Sequence, residues 1–341
     1  MKMRTFIVKR LAFSILSLVG LSILVFYLAR VIPGDPVKMM VDPRTPIEKI
    51  EELRHTLGLD RPLYLQYFYW LQDVFRGDLG FSVYTKRSVT SDVLEYLPIS
   101  LELVILAALM EIAGAFILGV LAGANAYKWP DNLVRILSYI GISIPSFVWA
   151  IILQLVFAWQ LGLFPTGGLL SSNIASPPKV TGFTSLDSLI AGRFDAFFDF
   201  LWHAMLPAFA LCIGGMTQDA RIIRAGMVEN KDKEYISMAT SQGLSKRLVM
   251  FKYLLKPSII PAVTVMGMDI AAMLGNAFLV EMVFVWPGFS RHSINAMLRK
   301  DLNTIVATVM VVGIIFAIVN IITDIIVAYL DPRIRLMERG E

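Results

Sequence analysis

The sequence predicts an all-α membrane protein with six transmembrane helices and a partly helical outer loop after the first. Three observations carry that expectation. Of 341 residues, 56% are hydrophobic and only 17% charged, against roughly 45–50% and about 25% in soluble domains. Six apolar stretches, near 11–29, 99–124, 133–160, 201–217, 258–280 and 304–330, approach the roughly 20 residues needed to cross a bilayer core. Basic residues concentrate in the segments that six spans place on one side.

The first stretch is too long for a secretory signal, and Tyr27-Leu28-Ala29-Arg30 offers no small-x-small cleavage site. The fourth is short and interrupted by Pro207 and Gly214-Gly215. Dropping it inverts the charge pattern, so it is counted. With both termini inside, the inside segments hold 17 basic and 8 acidic residues, and the outside segments 14 and 15. The positive-inside rule therefore places both termini in the cytoplasm. The organisation that results is an N-terminus and first span (1–30), an outer loop subdomain (31–98), a five-span core (99–330) with a cytoplasmic segment at 225–256, and a cytoplasmic tail (331–341).

Within the outer loop, Thr45-Pro46-Ile47-Glu48 has the pattern of a capping box with proline in the first turn. Ile47, Ile50, Leu53 and Leu57 follow at helical spacing, and Gly58 suits the stop. Leu63 to Phe75 is a second amphipathic stretch carrying Tyr64, Tyr67, Phe68, Tyr69 and Trp70, which places it at the outer interface. It is either a lid packed on the spans or a rim that meets an extracytoplasmic protein. The later outer loop, about 161–200, holds Gly167-Gly168 and Pro177-Pro178 and is expected to be irregular up to Leu189.

Enzyme signatures are missing: there is no P-loop, no His-Glu-x-x-His and no Gly-x-Ser-x-Gly. His55, His203 and His292 stand far apart, and the single Cys212 lies in an apolar run. No metal, cofactor or disulfide is expected from that spacing, and dispersed basic residues argue against nucleic acid. Ionisable groups inside spans are costly and mark function by default. Glu102 and Asp324 lie near helix ends, where structural or capping roles fit. Glu111 and Asp269 lie nearer the midplane, as candidate lining of a translocation path or as internally paired groups. An aspartyl dyad of Asp269 with Asp324 fails on depth, because they stand roughly 17 Å and 9 Å from the inner ends of their spans. Gly114, Gly119 and Gly123 give the second span a face for close helix approach. Prolines at 145, 207, 257 and 261 mark kinks or boundaries.

Between the fourth and fifth spans, acids come early (Glu229, Asp232, Glu234) and bases late (Lys246, Arg247, Lys252, Lys256), as helix dipoles favour. Gly243 permits a sharp turn between two short helices. Such a helix-turn-helix suits insertion into a cleft of a soluble partner; the plain alternative is a solvated loop whose bases set topology.

Glu234-Tyr235, Ala239-x-x-x-Gly243-Leu244 and Pro261 resemble the coupling loop of ABC-importer permease subunits. Other pieces match in order: Ile32-Pro33-Gly34-Asp35-Pro36, Leu57 to Pro62, Gly77 to Gly80, Ser100 to Leu103, Gly141 to Phe147, Glu281 to Gly288 and Asp331 to Arg335. Together they are similar to the dipeptide/oligopeptide/nickel importer permeases, specifically the subunit with a long first outer loop. The resemblance implies a type I permease fold, a second permease subunit in a heterodimer, cytoplasmic ATP-binding subunits and an extracytoplasmic solute-binding protein. It assigns ATPase docking to Glu234, Tyr235, Ala239, Gly243 and Leu244, and a short peptide as cargo, with oligosaccharide or nickel as alternatives. The chain departs from relatives at Thr240 and Gln242, where they carry bases, and at Glu111 and Asp269, where they usually carry apolar and Gln residues. The competing expectations are a proton-coupled carrier using Glu111 and Asp269, and an intramembrane hydrolase. The sequence reading favours a non-enzymatic transport subunit of the cytoplasmic membrane.

Overall fold

The computed structural model describes residues 3–31, 44–56 and 60–331. Ile32–Pro36, Leu57–Leu59 and the tail beyond Asp331, all used in the sequence reading, lie outside them. Among the described residues the chain is helical, with a lone bridge between Phe81 and Ser88 in place of a sheet. In chain order the helices are α1 (Met3–Val31), α2 (Ile47–Thr56), α3 (Leu63–Phe75), α4 (Val89–Ala124), α5 (Trp129–Ser143) and α6 (Ser146–Leu153). A π-helical turn, Gln154–Gln160, extends α6. Then follow α7 (Thr184–Ile190), α8 (Phe194–Lys231), α9 (Glu234–Ser241) and α10 (Lys246–Leu248). A second π segment, Val249–Leu255, leads to α11 (Lys256–Ser258), α12 (Ile260–Val283), α13 (Phe289–Leu298) and α14 (Leu302–Leu330).

Five helices are long and apolar enough to cross a membrane, and six spans result when the bent pair α5–α6 counts as one. The expected third span is therefore broken. Its halves meet at 107°, at Ile144-Pro145. Ile144 is extended (φ −102°, ψ 121°), because the ring of a following proline disfavours the helical region. The fourth span is the larger correction: α8 runs unbroken for 38 residues, with Pro207 inside it, and continues to Lys231. Likewise α4 begins at Val89 and absorbs Pro98.

Glycines set the distance between the two longest helices. A Cβ on Gly119 would lie 2.8 Å from Ile223 Cβ and 2.9 Å from the Ala220 carbonyl, and one on Gly114 would meet Met216 Sδ at 2.1 Å. On Gly123 it would lie 2.7 Å from Met227 Sδ. Apolar lipid gives helices no hydrophobic reason to associate, so such backbone approach and its dispersion contacts hold the pair. Around it, Leu103, Ala107, Ala204, Leu274 and Trp286 form the largest buried cluster.

α1 stands to one side against α14, where Val25 packs with Val306 and Met310 and Arg10 pairs with Asp324 at 3.3 Å. The aromatic helix α3 docks on it: Phe26 lies 5.4 Å from the rings of both Tyr67 and Trp70, and Ser22 bonds the Tyr67 hydroxyl at 2.8 Å. Residues 161–183 are irregular, as expected, but α7 follows them. The Glu102 carboxylate caps α7, accepting hydrogen bonds from the backbone N–H groups of Thr184 and Ser185, both at 2.7 Å. On α7 itself, Asp187 accepts bonds from Thr181, Val180 and Gly182. Burial works against its charge, but those bonds outweigh it and hold the carboxyl below its ordinary range.

The glycine contacts predict an asymmetry measurable by thermal unfolding in detergent. Gly119→Ala destabilises by about 1–3 kcal/mol through overpacking. Gly20→Ala, whose Cβ meets nothing within 4 Å, leaves stability unchanged or slightly raised.

Candidate functional site

Two places combine functional residue types with a built setting. The first is the segment joining α8 to α12. Lys233 is extended before α9, and Gly243 ends the turn after it at φ +77°, a conformation that suits glycine. Ile236 and Ala239 are buried; Ile236 packs with Ile223, Met227, Leu254 and Leu255, so α9 rests on both the end of α8 and the π segment. Tyr235 donates its hydroxyl to Asn230 Oδ1 at 2.8 Å, while Asn230 Nδ2 donates to the Gly226 carbonyl at 2.8 Å and to Ser258 Oγ at 3.1 Å. These bonds tie α8, α9 and α11 into one corner.

What α9 presents outward is Glu234, Ser237, Met238 and part of Tyr235, with Met238 62% exposed. An exposed methionine adapts to a partner surface at little conformational cost. The five residues assigned to docking thus divide. Glu234, Tyr235 and Gly243 are exposed, Leu244 is half-buried, and Ala239 faces inward as packing.

Behind this corner, Asp131 is fully buried and takes a bidentate pair from Arg224, Nε to Oδ1 at 2.8 Å and Nη2 to Oδ2 at 2.7 Å. The Tyr127 N–H adds a third bond at 2.8 Å. The pair fastens the start of α5 to the inner part of α8.

The second place is a cavity of about 230 Å³ at the α5–α6 bend. Glu111, Pro145, Ser146, Gly215, Asp269 and Asn276 are among its walls. Glu111 and Asp269 therefore meet one space, as path lining requires. A third acid, Asp219, joins them: one carboxylate oxygen from each of the three lies within 4.8 Å of the others. Sequence reading missed Asp219 because its fourth span stopped at 217 and left the residue in the cytoplasmic segment. The signal was present, since Met216, Ala220, Ile223 and Met227 continue the apolar spacing of a helix past the polar Gln218, Asp219 and Arg221. Asp324, by contrast, sits with Arg10, away from Asp269.

This arrangement, a bundle of spans with a folded inner corner, bears comparison with known proteins. Residues 115–336 match the family described as binding-protein-dependent transport system inner membrane component. Residues 3–104 match the N-terminal region of such membrane components. The chain belongs to this family. It is a multi-pass membrane subunit with the type I importer permease fold. The di/tripeptide transport system permease protein DppB of Pseudomonas aeruginosa (strain UCBPP-PA14) is 35% identical over 98% of this chain and 99% of its own length. The probable D,D-dipeptide transport system permease protein DdpB of Escherichia coli (strain K12) is 34% identical over 94% of both chains. The oligopeptide transport system permease protein AppB of Bacillus subtilis (strain 168) is 31% identical over 97% of this chain and 99% of its own.

Breaking the inner ion pair tests the corner. Arg224→Gln strands a buried carboxylate and lowers thermal stability by about 3–5 kcal/mol, whereas adding Asp131→Asn to it restores part of the loss. Unfolding of the purified single and double variants measures both.

Proposed function

We propose that this permease subunit carries short peptides inward in an ATP-driven importer, with α9 and its Gly243 turn as the docking element for a cytoplasmic ATP-binding subunit. Cargo is inferred from relatives that are named for dipeptide, di/tripeptide and oligopeptide transport and match the chain nearly end to end. The observation that carries the docking role is mechanical. The exposed face of α9 is rigidly joined, through Ile236 and the Tyr235–Asn230–Ser258 bonds, to the ends of two spans. A push on Glu234 and Met238 is therefore delivered to α8 and α12, which hold Asp219 and Asp269 beside the cavity.

In this reading both termini are cytoplasmic, a second permease subunit completes the pathway, and a solute-binding protein delivers cargo from outside. Glu111 and Asp269 line the route. ATP hydrolysis belongs to the separate ATP-binding subunits.

In the assembled transporter, Gly243→Trp strains the left-handed turn (φ +77°) but meets no atom within 4 Å, so the spans stay folded while cargo-stimulated ATPase activity and dipeptide uptake are abolished. Met238→Lys, at an exposed position, lowers both in parallel. Normal uptake in both variants would overturn the docking role. Uptake driven by a proton gradient without the ATP-binding subunit would replace the reading with a secondary carrier.

A further inference from the structure

The carboxylates of Glu111, Asp219 and Asp269 come from three different spans, α4, α8 and α12, and none has a base in an ion pair among the described residues. Glu111 and Asp219 are fully buried. Their four carboxylate oxygens accept from no amide, hydroxyl or basic group and meet only each other's carboxyl, although buried polar atoms are bonded in the great majority of cases. Asp269 alone has a bond from outside the cluster, a long one of 3.4 Å from Gln218 Nε2. Glu111 is also one of the residues that line the cavity at the α5–α6 bend. Gly215 is what lets it stand there, since a Cβ at that position would lie 2.5 Å from Glu111 Oε2.

Three carboxyl groups at this spacing in a low-dielectric interior cannot all stay charged and unpaired: they either share protons or gather positive charge among them. We infer that Glu111, Asp219 and Asp269 form an intramembrane binding site for one hard divalent cation of the magnesium, calcium or manganese class. The donor set is oxygen throughout, which is what such ions prefer. Oxygens that all lie within 4.8 Å of one another can surround a single ion at the 2.0–2.6 Å metal–oxygen distances these cations adopt. Asn276 and Ser146 also line this cavity and are the oxygen donors nearest at hand in the chain to fill out such an ion's six to eight ligands together with water. A divalent charge also offsets three carboxylates better than the single ammonium group of a peptide does. Asp219, outside the cavity lining and fully buried, is within reach of a bare ion but not of an ammonium carried on bulky cargo. Bound there, the ion cross-links the three spans that converge on the cavity.

The inference does not rest on peptide transport, and its test involves no transport. Manganese(II) alone is titrated into the purified full chain in detergent, and free aqueous ion is followed by electron paramagnetic resonance. The expected result is one saturable site per chain, with affinity weakened roughly tenfold or more in Glu111→Gln and Asp219→Asn and unchanged in the exposed control Glu229→Gln. Size-exclusion profiles establish that each variant is folded. Should the variants aggregate, the wild-type chain still decides, because manganese must raise its unfolding temperature and methylammonium must not. No saturable manganese binding, or binding indifferent to Asp219→Asn, would overturn the site. A stabilisation by methylammonium alone, lost in Asp219→Asn, would reassign the cluster to an amine.

Discussion

The bundle depends on how closely α4 and α8 approach. In water, two helices are driven together by burying apolar faces; in lipid that gain vanishes, and contact distance decides. Gly114, Gly119 and Gly123 bring the α4 backbone against Met216, Ala220, Ile223 and Met227 of α8. Once that spacing is set, Glu111 on one helix and Asp219 on the other are forced into proximity. The α12 helix, packed on α8, then adds Asp269. The cavity and its acids are thus a geometric result of a glycine face.

Several buried charged groups outside this cluster have a partner that fixes an element. Glu102 terminates α7, Asp131 and Arg224 lock α5 to α8, and Glu281 accepts from Ser100 and from the Arg291 N–H at 2.8 Å. On α13, His292 is sandwiched between Tyr84 and Tyr96, with ring centroids 5.7 and 4.5 Å away. Burial there pushes its imidazole below the usual range despite the Asp92 carboxylate 3.6 Å away. Such contacts join α4, α12 and α13 at one end of the bundle.

Much of this was legible in the residues. The span count follows from hydropathy, the α4 glycine face from spacing, and the turn at Gly243 from the need for left-handed backbone. Glu102, expected near a helix end, lies well inside the longer α4, and its carboxylate caps α7 instead of its own helix. Helix ends were less legible, because a hydropathy window stops where polar residues begin, whereas the α-helix continues as long as its hydrogen bonds and packing do. That difference hid Asp219. The sharp bend at Pro145 was marked by the proline, but its size is set by packing against α8, which no local pattern records. Ala239 illustrates the converse: a motif position assigned to docking turned out to face the chain's own core.

The length of α8 has a mechanical consequence. Its 38 residues extend roughly 57 Å at 1.5 Å per residue, well beyond a hydrocarbon layer of about 30 Å. One continuous helix therefore reaches from one membrane surface, past the acids, to the corner that carries α9. Pivoting a helix of that length by about 5° displaces its far tip by roughly 5 Å. Small angular changes at one end are thereby magnified at the other.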